Sequence, residues 1–322
     1  MKMLSVLCQD ENMMKDAGEG KDLYTAVAAK AFHTTYEECL EHFPKDAKIA
    51  QRNGKWYYAN EEEIKSGNYK LANGETDTYK EGKARRKQAK IILLGMMYSR
   101  GPAALAEQLE CSLDEAKDIM NSVFNAFPNI KKCDIDSKEF AKKYGYTTTI
   151  WGRKRRLPDI KLPPYNFDFS NSIIPENQRE NFIKATTPKL QEEYWNRNKK
   201  QKIIDDAEKK YKVKISDNSG FIAKAERQVL NARVQGSSAD MTKKAIVSIF
   251  KNKRLRDLGF KLVVPIHDEI LAMCPLAYAK ECKELFVYEM EHAAVDKVPF
   301  DIKVDPVCSF EWYGKEIDVD NI

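Results

Sequence analysis

The stretch "ERQVLNARVQGSSADMTKKAI" (226–246) is predicted to be part of a helix over about 222–251. Arg227, Asn231 and Gln235 follow one another at intervals of four residues, so they share one face of that helix. Long amide and guanidinium groups in one stripe suit hydrogen bonds to the sugars, base edges or phosphates of a nucleic acid. A polar face turned to solvent would show the same pattern, so the stripe alone leaves both interpretations open.

A second stretch, "ARRKQAKIILLGMMYSRGP" (84–102), lies in a predicted helix over 79–98. Four side chains recur at every fourth residue and share one helix face: Arg86, Lys90, Leu94 and Tyr98. An arginine fork and a lysine point charge one turn away suit the oxygens of a phosphate chain. A triphosphate at this basic end would leave its base over the leucine and the tyrosine. A helix with a basic start and a buried end is the alternative.

The segment "YGYTTTIWGRKRRLP" (144–158) predicts a hairpin, because β-branched and aromatic residues flank a glycine. Consecutive basic residues follow that glycine: Arg153, Lys154, Arg155 and Arg156. They indicate either contact with a DNA backbone or an exposed hairpin tip.

The run "VVPIHDEILAMCP" (263–275) places His267, Asp268 and Glu269 inside an apolar strand predicted over 261–274. Burial of an ionised carboxylate without a partner costs several kcal/mol, so a positive group should meet these acids. Carboxylate oxygens are ligands that suit Mg²⁺, which would resolve the cost of burial. A tight turn with exposed acids is the alternative.

Composition limits the classes of protein to consider. The 322 residues leave room for about two domains, and the net charge of +5 says little about partners. Seven cysteines without a CxxC pair indicate reduced thiols in a cytosol-like compartment. No apolar run approaches the ~20 residues that a membrane span needs, so we expect a cytoplasmic protein that has no membrane partner.

The rest of the chain predicts mainly helices. A turn-rich, aromatic segment over 52–77 resembles a small hairpin insertion, and "FDIKVDPVCSFEWYG" (300–314) predicts a closing strand. Three further segments are predicted to be helical: parts of 12–43, 112–127 and 279–294.

In this order, the four quoted segments strongly resemble the C-terminal part of family A DNA polymerases, the bacterial polymerase I type. The family's pattern R-x-x-x-K-x-x-x-[FY]-G-x-x-Y-G appears here as Arg86, Lys90, Leu94, Gly95, Tyr98 and Ser99. The patterns GRRR-x-LP, E-R-x-x-x-N-x-x-x-Q-G-[ST]-x-A-D and V-H-D-E appear as "GRKRRLP", residues 226–240 and "PIHDE". Leu94 stands where the family has Phe or Tyr, and Tyr24 replaces His in the pattern D-I-H-x-x-T-A.

The resemblance implies an α+β, right-hand polymerase fold with helical fingers and an antiparallel palm sheet, from which the thumb and the first palm strands are absent. We expect a palm remnant over 1–11, fingers over 12–160 with the nucleotide-binding helix 79–98, an insertion of unknown role over 161–221, and a palm over 222–322 that holds the catalytic strand 261–274.

By resemblance, the chemistry is nucleotidyl transfer from a dNTP to a primer 3′-hydroxyl with two Mg²⁺ ions. Asp268 is then a metal ligand, Glu269 an adjacent acid, and Lys90 both a phosphate ligand and the proton donor to pyrophosphate. Arg86 joins Lys90 on the phosphates, while Leu94 and Tyr98 contact the nascent base pair. The expected contacts to primer–template DNA are Arg153, Arg155, Arg156, Arg227, Asn231, Gln235 and His267.

The family's other essential aspartate lies in a motif D-x-S-x-x-E-x-R that should precede "LSVLCQDEN", and this motif is not encoded here. We therefore expect the C-terminal piece of a split, phage-like polymerase. A partner polypeptide would supply the first catalytic aspartate, the thumb and the upstream palm, and would dock on an exposed apolar strand edge. Host location would be the bacterial cytoplasm. The glutamate that selects the sugar is missing as well, so the choice between dNTP and rNTP stays open.

Three other functions remain open at this point. A catalytically inactive DNA-binding remnant would keep the basic clusters. A single-subunit RNA polymerase has a fingers helix of similar R/K/Y spacing, although "HDE" and the long basic hairpin favour a DNA polymerase. A metal phosphohydrolase built on His267 and Asp268 is the weakest of the three, because no other His and Asp ligands are spaced to assist.

Overall fold

The structure is a computed structural model that describes residues 1–40, 48–52, 55–59, 70–72, 77–98, 100–267, 269–312 and 314–321. The chain divides into two compact units. Unit 1 comprises 1–137, 148–155 and 230–322, and unit 2 comprises 138–147 and 156–229. The predicted division into palm, fingers and insertion stays a prediction. None of the described helices has both the length and the apolar composition that a membrane span requires.

Helices dominate the described chain. They are α1 Lys2–Cys8, α2 Glu11–Gly18, α3 Leu23–Ala31, α4 Asp77–Met97, α5 Pro102–Leu109, α6 Leu113–Ala126, α7 Pro128–Tyr144, α8 Glu176–Glu192, α9 Arg197–Tyr211, α10 Ser219–Lys251, α11 Lys253–Asp257 and α12 Ala279–Glu291. The helices predicted over 79–98, 112–127, 222–251 and 279–294 are thereby confirmed.

The strands are short. They are β1 Lys48–Arg52, β2 Lys55–Ala59, β3 Lys70–Ala72, β4 Tyr146–Thr148, β5 Lys154–Arg156, β6 Tyr165–Asp168, β7 Lys214–Asp217, β8 Lys261–Ile266 and β9 Glu269–Met273. Antiparallel pairing joins β1, β2 and β3 in that order, so the predicted hairpin of 52–77 is part of a three-stranded sheet where the structure describes it. The hairpin predicted over 144–158 corresponds to β4 paired with β5.

The main core of unit 1 forms where α1, α3, α4 and α10 meet. Leu4, Val27 and Ile92 are fully buried in it, and Leu230 and Val234 enter it from α10. Small residues make this close packing possible, because α3 is rich in alanine and packs along α4. The same core therefore contains buried side chains from the second half of α4 and from the middle of α10.

A smaller cluster supports the β8–β9 hairpin. Leu262 and Ile270 turn one face of the hairpin toward Ile249 of α10 and toward Leu255 and Cys282 of the helices that flank it. The strands pair antiparallel, with Ile266 opposite Glu269 and a bulge near Leu262. The prediction of one continuous strand over 261–274 is therefore wrong, because the chain reverses at His267, whose backbone is left-handed at φ 53°.

The closing strand predicted over 300–314 is also wrong. Among the described residues of this segment, pairing is limited to an isolated bridge between Ser309 and Glu316. The alternation of apolar and polar side chains in "FDIKV" is explained by burial instead of strand pairing, because Phe300 and Ile302 pack against the core of unit 1.

Unit 2 has two cores of its own. Tyr165, Leu190 and Val213 are buried where α8 and α9 pack on the β6–β7 pair. A second cluster joins Ala141 and Leu157 to Val229. The segment predicted as an insertion over 161–221 is thus an ordered helical hairpin on a two-stranded sheet.

One buried carboxylate, Asp10, caps two helices. Its Oδ1 accepts a hydrogen bond from the Met13 amide at 3.2 Å, and its Oδ2 accepts one from the Asn129 amide at 3.1 Å. The first bond caps α2, and the second satisfies an amide in the first turn of α7.

Asp10→Ala should lower the free energy of unfolding by about 2–4 kcal/mol, because two buried amides lose their acceptor. Asp10→Asn is the matched control, since it keeps one acceptor oxygen and should cost about half as much. Urea unfolding followed by circular dichroism measures both. An Ala variant within about 0.5 kcal/mol of the wild type would contradict the double cap.

Candidate functional site

Arg86 of α4 is held by Asp22, the N-cap residue directly before α3. The Arg86 Nε and Nη2 atoms donate to the Asp22 Oδ1 and Oδ2 atoms at 3.1 and 3.0 Å. Asp22 also caps α3, because its Oδ1 accepts from the amide and the hydroxyl of Thr25 at 2.8 and 2.9 Å. This carboxylate orients the guanidinium with the two-point geometry that a fork allows.

Tyr24 lies beneath both cations of the predicted phosphate site. The Arg86 Cζ atom lies 5.6 Å from the centroid of its ring, and the Lys90 Nζ atom lies 5.9 Å from it. Both distances fall within the range of cation–π attraction. Lys90 is exposed, whereas Arg86 is half-buried. The two cations thus gather over one aromatic ring, with the lysine accessible to a ligand from solvent.

The electrostatics of this group follow from the ion pair. Partial burial opposes ionisation of Asp22, but hydrogen bonds from Arg86 and Thr25 outweigh it and hold the pKa of Asp22 below its usual value. Burial and the charge of Asp22 raise the pKa of Tyr24, so its phenol stays protonated at neutral pH.

The far end of α4 meets α10. The Gln235 Nε2 atom donates to the Tyr98 hydroxyl at 3.4 Å, which joins two of the predicted faces by a long hydrogen bond. Leu94 and Tyr98 are half-buried, whereas Leu93 is fully buried. The structure therefore brings four predicted site residues, Arg86, Lys90, Leu94 and Tyr98, onto one accessible helix face, with Gln235 beside its end.

The polar stripe of α10 continues away from this contact. Arg227 is exposed and belongs to unit 2, while Asn231 belongs to unit 1 and is half-buried. The Asn231 Oδ1 atom is buried and has no hydrogen-bond partner among the described residues. An unsatisfied buried acceptor costs about 1–3 kcal/mol, which makes this side chain ready to bind a donor from a ligand or water.

The tip of the β4–β5 hairpin is docked on α10 by Arg153. Its Nε atom donates to Asp240 Oδ1 at 2.5 Å, and its Nη2 atom donates to the Gly236 carbonyl at 3.1 Å. Gly236 permits this approach, because a Cβ there would lie 2.9 Å from the Thr149 methyl carbon. Arg153 thus binds two groups of α10, while part of its side chain remains exposed to solvent.

Other contacts strengthen this docking. The Ile150 amide donates to the Ser237 hydroxyl at 3.0 Å, and the Arg233 Nε atom donates to the Thr148 carbonyl at 3.3 Å. Arg155 and Arg156, by contrast, are exposed on the second strand of the hairpin, where each can reach a ligand from solvent.

The turn of the β8–β9 hairpin carries the predicted catalytic acids. His267 and Glu269 are both exposed, in agreement with the tight-turn alternative. Asp268 lies outside the described residues. Among the residues that the structure does describe, no three His, Cys, Asp or Glu side chains gather to hold a metal ion. The described side chains therefore do not form a magnesium site by themselves.

The outer face of this hairpin is apolar and uncovered. The exposed fractions of Val263 and Val264 are 51% and 38%, and that of Met273 is 58%. Three apolar side chains on one short hairpin are more than scattered surface exposure, and they mark a face that suits a further packing partner.

Sequence reasoning overlooked several members of this site. The sequence patterns assign no role to Asp22 and include Tyr24 only through a family pattern, although the spacing Asp22–Thr25 is typical of a helix cap. Asp240 ends the motif over 226–240 and was assigned no partner. No local pattern could pair it with Arg153, because 87 residues separate them.

Arg86→Ala should raise the pKa of Asp22, because burial then acts without the compensating guanidinium. A depressed carboxyl pKa contributes stability that is present above the unfolded-state value near ~3.9 and is lost as pH falls through the folded-state value. The wild type should therefore lose more stability on acidification below about pH 4 than the variant does.

Carboxyl ¹³C NMR titration measures this pKa directly. Lys87→Ala, which removes an exposed cation from the same helix, is the matched control and should leave the Asp22 titration unchanged. An unshifted Asp22 pKa in Arg86→Ala would contradict the pairing.

Comparison with solved structures shows the fold. The polymerase domain of Pol1 from M. smegmatis, in complex with DNA primer-template and dNTP, matches 91% of this chain and 35% of that chain with a TM-score of 0.57. The sequence identity is 21%. The expected α+β, mostly helical polymerase fold is thereby confirmed.

Curated relatives are DNA polymerases I. The Geobacillus stearothermophilus protein is 22% identical over 313 residues, which cover 97% of this chain and 24% of that protein. The Caldicellulosiruptor bescii protein is 25% identical over 228 residues, 71% of this chain and 20% of that protein. The thermostable Thermus thermophilus enzyme is 26% identical over 219 residues, 68% of this chain and 20% of that protein.

The chain thus spans about a fifth of the length of these relatives. The profile of DNA polymerase family A matches residues 70–174 and 176–313, which is more than half of the chain. This chain therefore belongs to DNA polymerase family A.

Proposed function

We propose that the chain takes part in template-directed DNA synthesis, in which a primer 3′-hydroxyl attacks an incoming dNTP. The observation that carries this proposal is the grouping of Arg86 and Lys90 over Tyr24, on the helix face that ends at Tyr98 and Gln235. A pair of cations followed by an apolar and an aromatic side chain matches the order phosphate, sugar and base along a nucleotide.

In this proposal Lys90 is the primary phosphate ligand. It is exposed, and its Nζ atom lies 5.9 Å from the centroid of the Tyr24 ring. Arg86 adds a second cation whose position Asp22 sets. A cation near the departing pyrophosphate stabilises negative charge as it develops, and Lys90 can also donate the proton that this group needs. Leu94 and Tyr98 pack on the nascent base pair.

The DNA contacts are proposed along α10 and the basic hairpin. Arg227, Asn231 and Gln235 face the primer–template, and His267 joins them from the β8–β9 turn. The unsatisfied Asn231 oxygen supports this role, because a sugar hydroxyl or a base amino group would satisfy it. Arg153, Arg155 and Arg156 reach the DNA backbone, with Arg153 also holding the hairpin on α10.

The metal-binding part of the proposal needs residues beyond those described. Asp268 is assigned as a ligand of two Mg²⁺ ions, with Glu269 as an adjacent acid. The ions would supply Lewis-acid activation of the reacting oxygens. The described side chains do not complete such a site. We assign a further carboxylate to a partner polypeptide that carries the thumb and the upstream palm strands. The uncovered apolar face at Val263, Val264 and Met273 is where its strand would pack.

This assembly fits a reducing compartment. All seven cysteines are free thiols, of which Cys8, Cys39, Cys133 and Cys282 are buried. We therefore place the enzyme in the cytoplasm of its host.

Primer extension tests the proposal. The purified chain is combined with a polypeptide that carries the motif D-x-S-x-x-E-x-R and a thumb, and dNTP incorporation is measured with and without Asp268→Ala. The mixture should extend a primer, and the variant should lower the rate by about 10²–10³-fold or more, with DNA affinity kept, because a charged group at the reacting centre is lost.

Asp305→Ala, which removes an exposed carboxylate of the same unit, is the control and should extend normally. No extension by a folded, DNA-bound complex would favour an inactive DNA-binding remnant. Full extension by the chain without the added polypeptide would overturn the partner requirement.

A further inference from the structure

The turn between α8 and α9 presents an aromatic pair to solvent. Trp195 is 93% exposed and Tyr194 is 39% exposed, and their rings meet edge to face with centroids 4.8 Å apart. Burial of a tryptophan is among the largest apolar contributions available to a folding chain. The folded chain nevertheless leaves the Trp195 indole almost wholly in water, and the indole belongs to neither apolar core of unit 2.

The backbone that carries Trp195 is nevertheless well defined. The Tyr194 amide donates to the Gln191 carbonyl at 3.2 Å, and the Asn196 amide donates to the Glu193 carbonyl at 3.0 Å. The Asn196 side chain then caps α9 by accepting from the Lys199 amide at 3.1 Å. The exposure of the indole is therefore the result of an ordered turn, and the ring can be presented to a ligand at a low cost in conformational entropy.

Tyr194 is anchored from the other side. The Lys200 Nζ atom lies 5.3 Å from the centroid of its ring, and the same ammonium group is bound to Asp217 Oδ2 at 2.5 Å. The Lys200 side chain is only 13% exposed. This arrangement holds the Tyr194 ring in place, and the Trp195 ring packs against it edge to face.

Exposed cations follow directly on α9. Arg197, Lys199 and Lys202 are exposed within its first turn and a half, a span of about 8 Å at 1.5 Å per residue. Acidic residues are absent from the first turn of this helix, where they would normally be favourable. Glu192 and Glu193 precede the aromatic pair, and the Lys199 Nζ atom binds Glu193 Oε1 at 3.3 Å. Arg197 and Lys202 therefore carry the positive charge that a phosphate near the pair could meet.

Charge is unevenly divided between the units as well. Unit 2 contains 18 Lys and Arg against 12 Asp and Glu, a net charge of +6, whereas the whole chain carries 54 against 49, a net charge of +5. Unit 1 therefore has a net charge of −1, and the positive excess belongs entirely to unit 2.

We propose that the α8–α9 turn is a binding site for single-stranded DNA, with Trp195 stacking on an unpaired base and the cations of α9 binding adjacent phosphates. Aromatic rings combined with lysines and arginines are the usual means of binding unpaired strands. Lysine is depleted at protein–protein interfaces, so the same turn is a poor match for a protein partner. This inference rests on the proposed function, because the single strand bound here would be the unpaired template of DNA synthesis.

Fluorescence anisotropy of a labelled fifteen-nucleotide oligo-dT tests this site on the full chain, without dNTP or metal. Trp195→Ala should weaken binding about tenfold, since stacking of one base is lost, and Trp195→Phe should retain most of the affinity. Ile173→Ala is the matched control, because Ile173 is 69% exposed in the same unit and is not aromatic. Circular dichroism confirms that each variant is folded.

Salt dependence tests the phosphate contacts separately. The double variant Arg197→Ala/Lys202→Ala should reduce the slope of log affinity against log salt by about 1.4, at about 0.7 per contact. The site would be overturned if wild type and Trp195→Ala bound oligo-dT with equal affinity, or if Ile173→Ala lost as much affinity as Trp195→Ala. Either result would favour a protein as the partner of this turn. An unchanged salt slope would overturn the phosphate contacts. Because these readouts need no synthesis, failure of primer extension leaves them unaffected.

Discussion

The paired hydrogen bonds between Asp22 and Arg86 join two residues that lie 64 positions apart in the chain. The same carboxylate caps α3, so the residue that orients the cation of α4 also stabilises the start of the helix that packs along α4. Tyr24 follows two residues later and places its ring under both Arg86 and Lys90. The geometry of the proposed phosphate site therefore depends on this one ion pair.

The core of unit 1 contains buried side chains from both α4 and α10. Ile92 is buried on the side of α4 away from Lys90, and Leu230 and Val234 are buried on α10. Burial of these faces leaves the Arg86–Tyr98 face and the Gln235 side chain accessible. Hydrophobic packing thus determines which polar side chains are available for a nucleotide, and the Tyr98–Gln235 contact is its consequence.

Helical spacing in the sequence is sufficient to predict both polar faces, that of α4 and that of α10. The four-residue recurrence of Arg86, Lys90, Leu94 and Tyr98 needs only local geometry. The partners of these residues depend on long-range contacts, and neither Asp22 for Arg86 nor Asp240 for Arg153 follows from a local pattern. The strand predicted over 261–274 was wrong for a related reason, because apolar runs do not reveal where a chain reverses.

Selective labelling of lysines tests the proposed phosphate site most directly. The chain is acylated with and without saturating dTTP, and modification of each lysine is followed by mass spectrometry. Lys83 and Lys87 are exposed on the same helix and serve as internal controls. We expect dTTP to slow modification of Lys90 severalfold and to leave the two control lysines unchanged. Equal modification of Lys90 with and without nucleotide would contradict it.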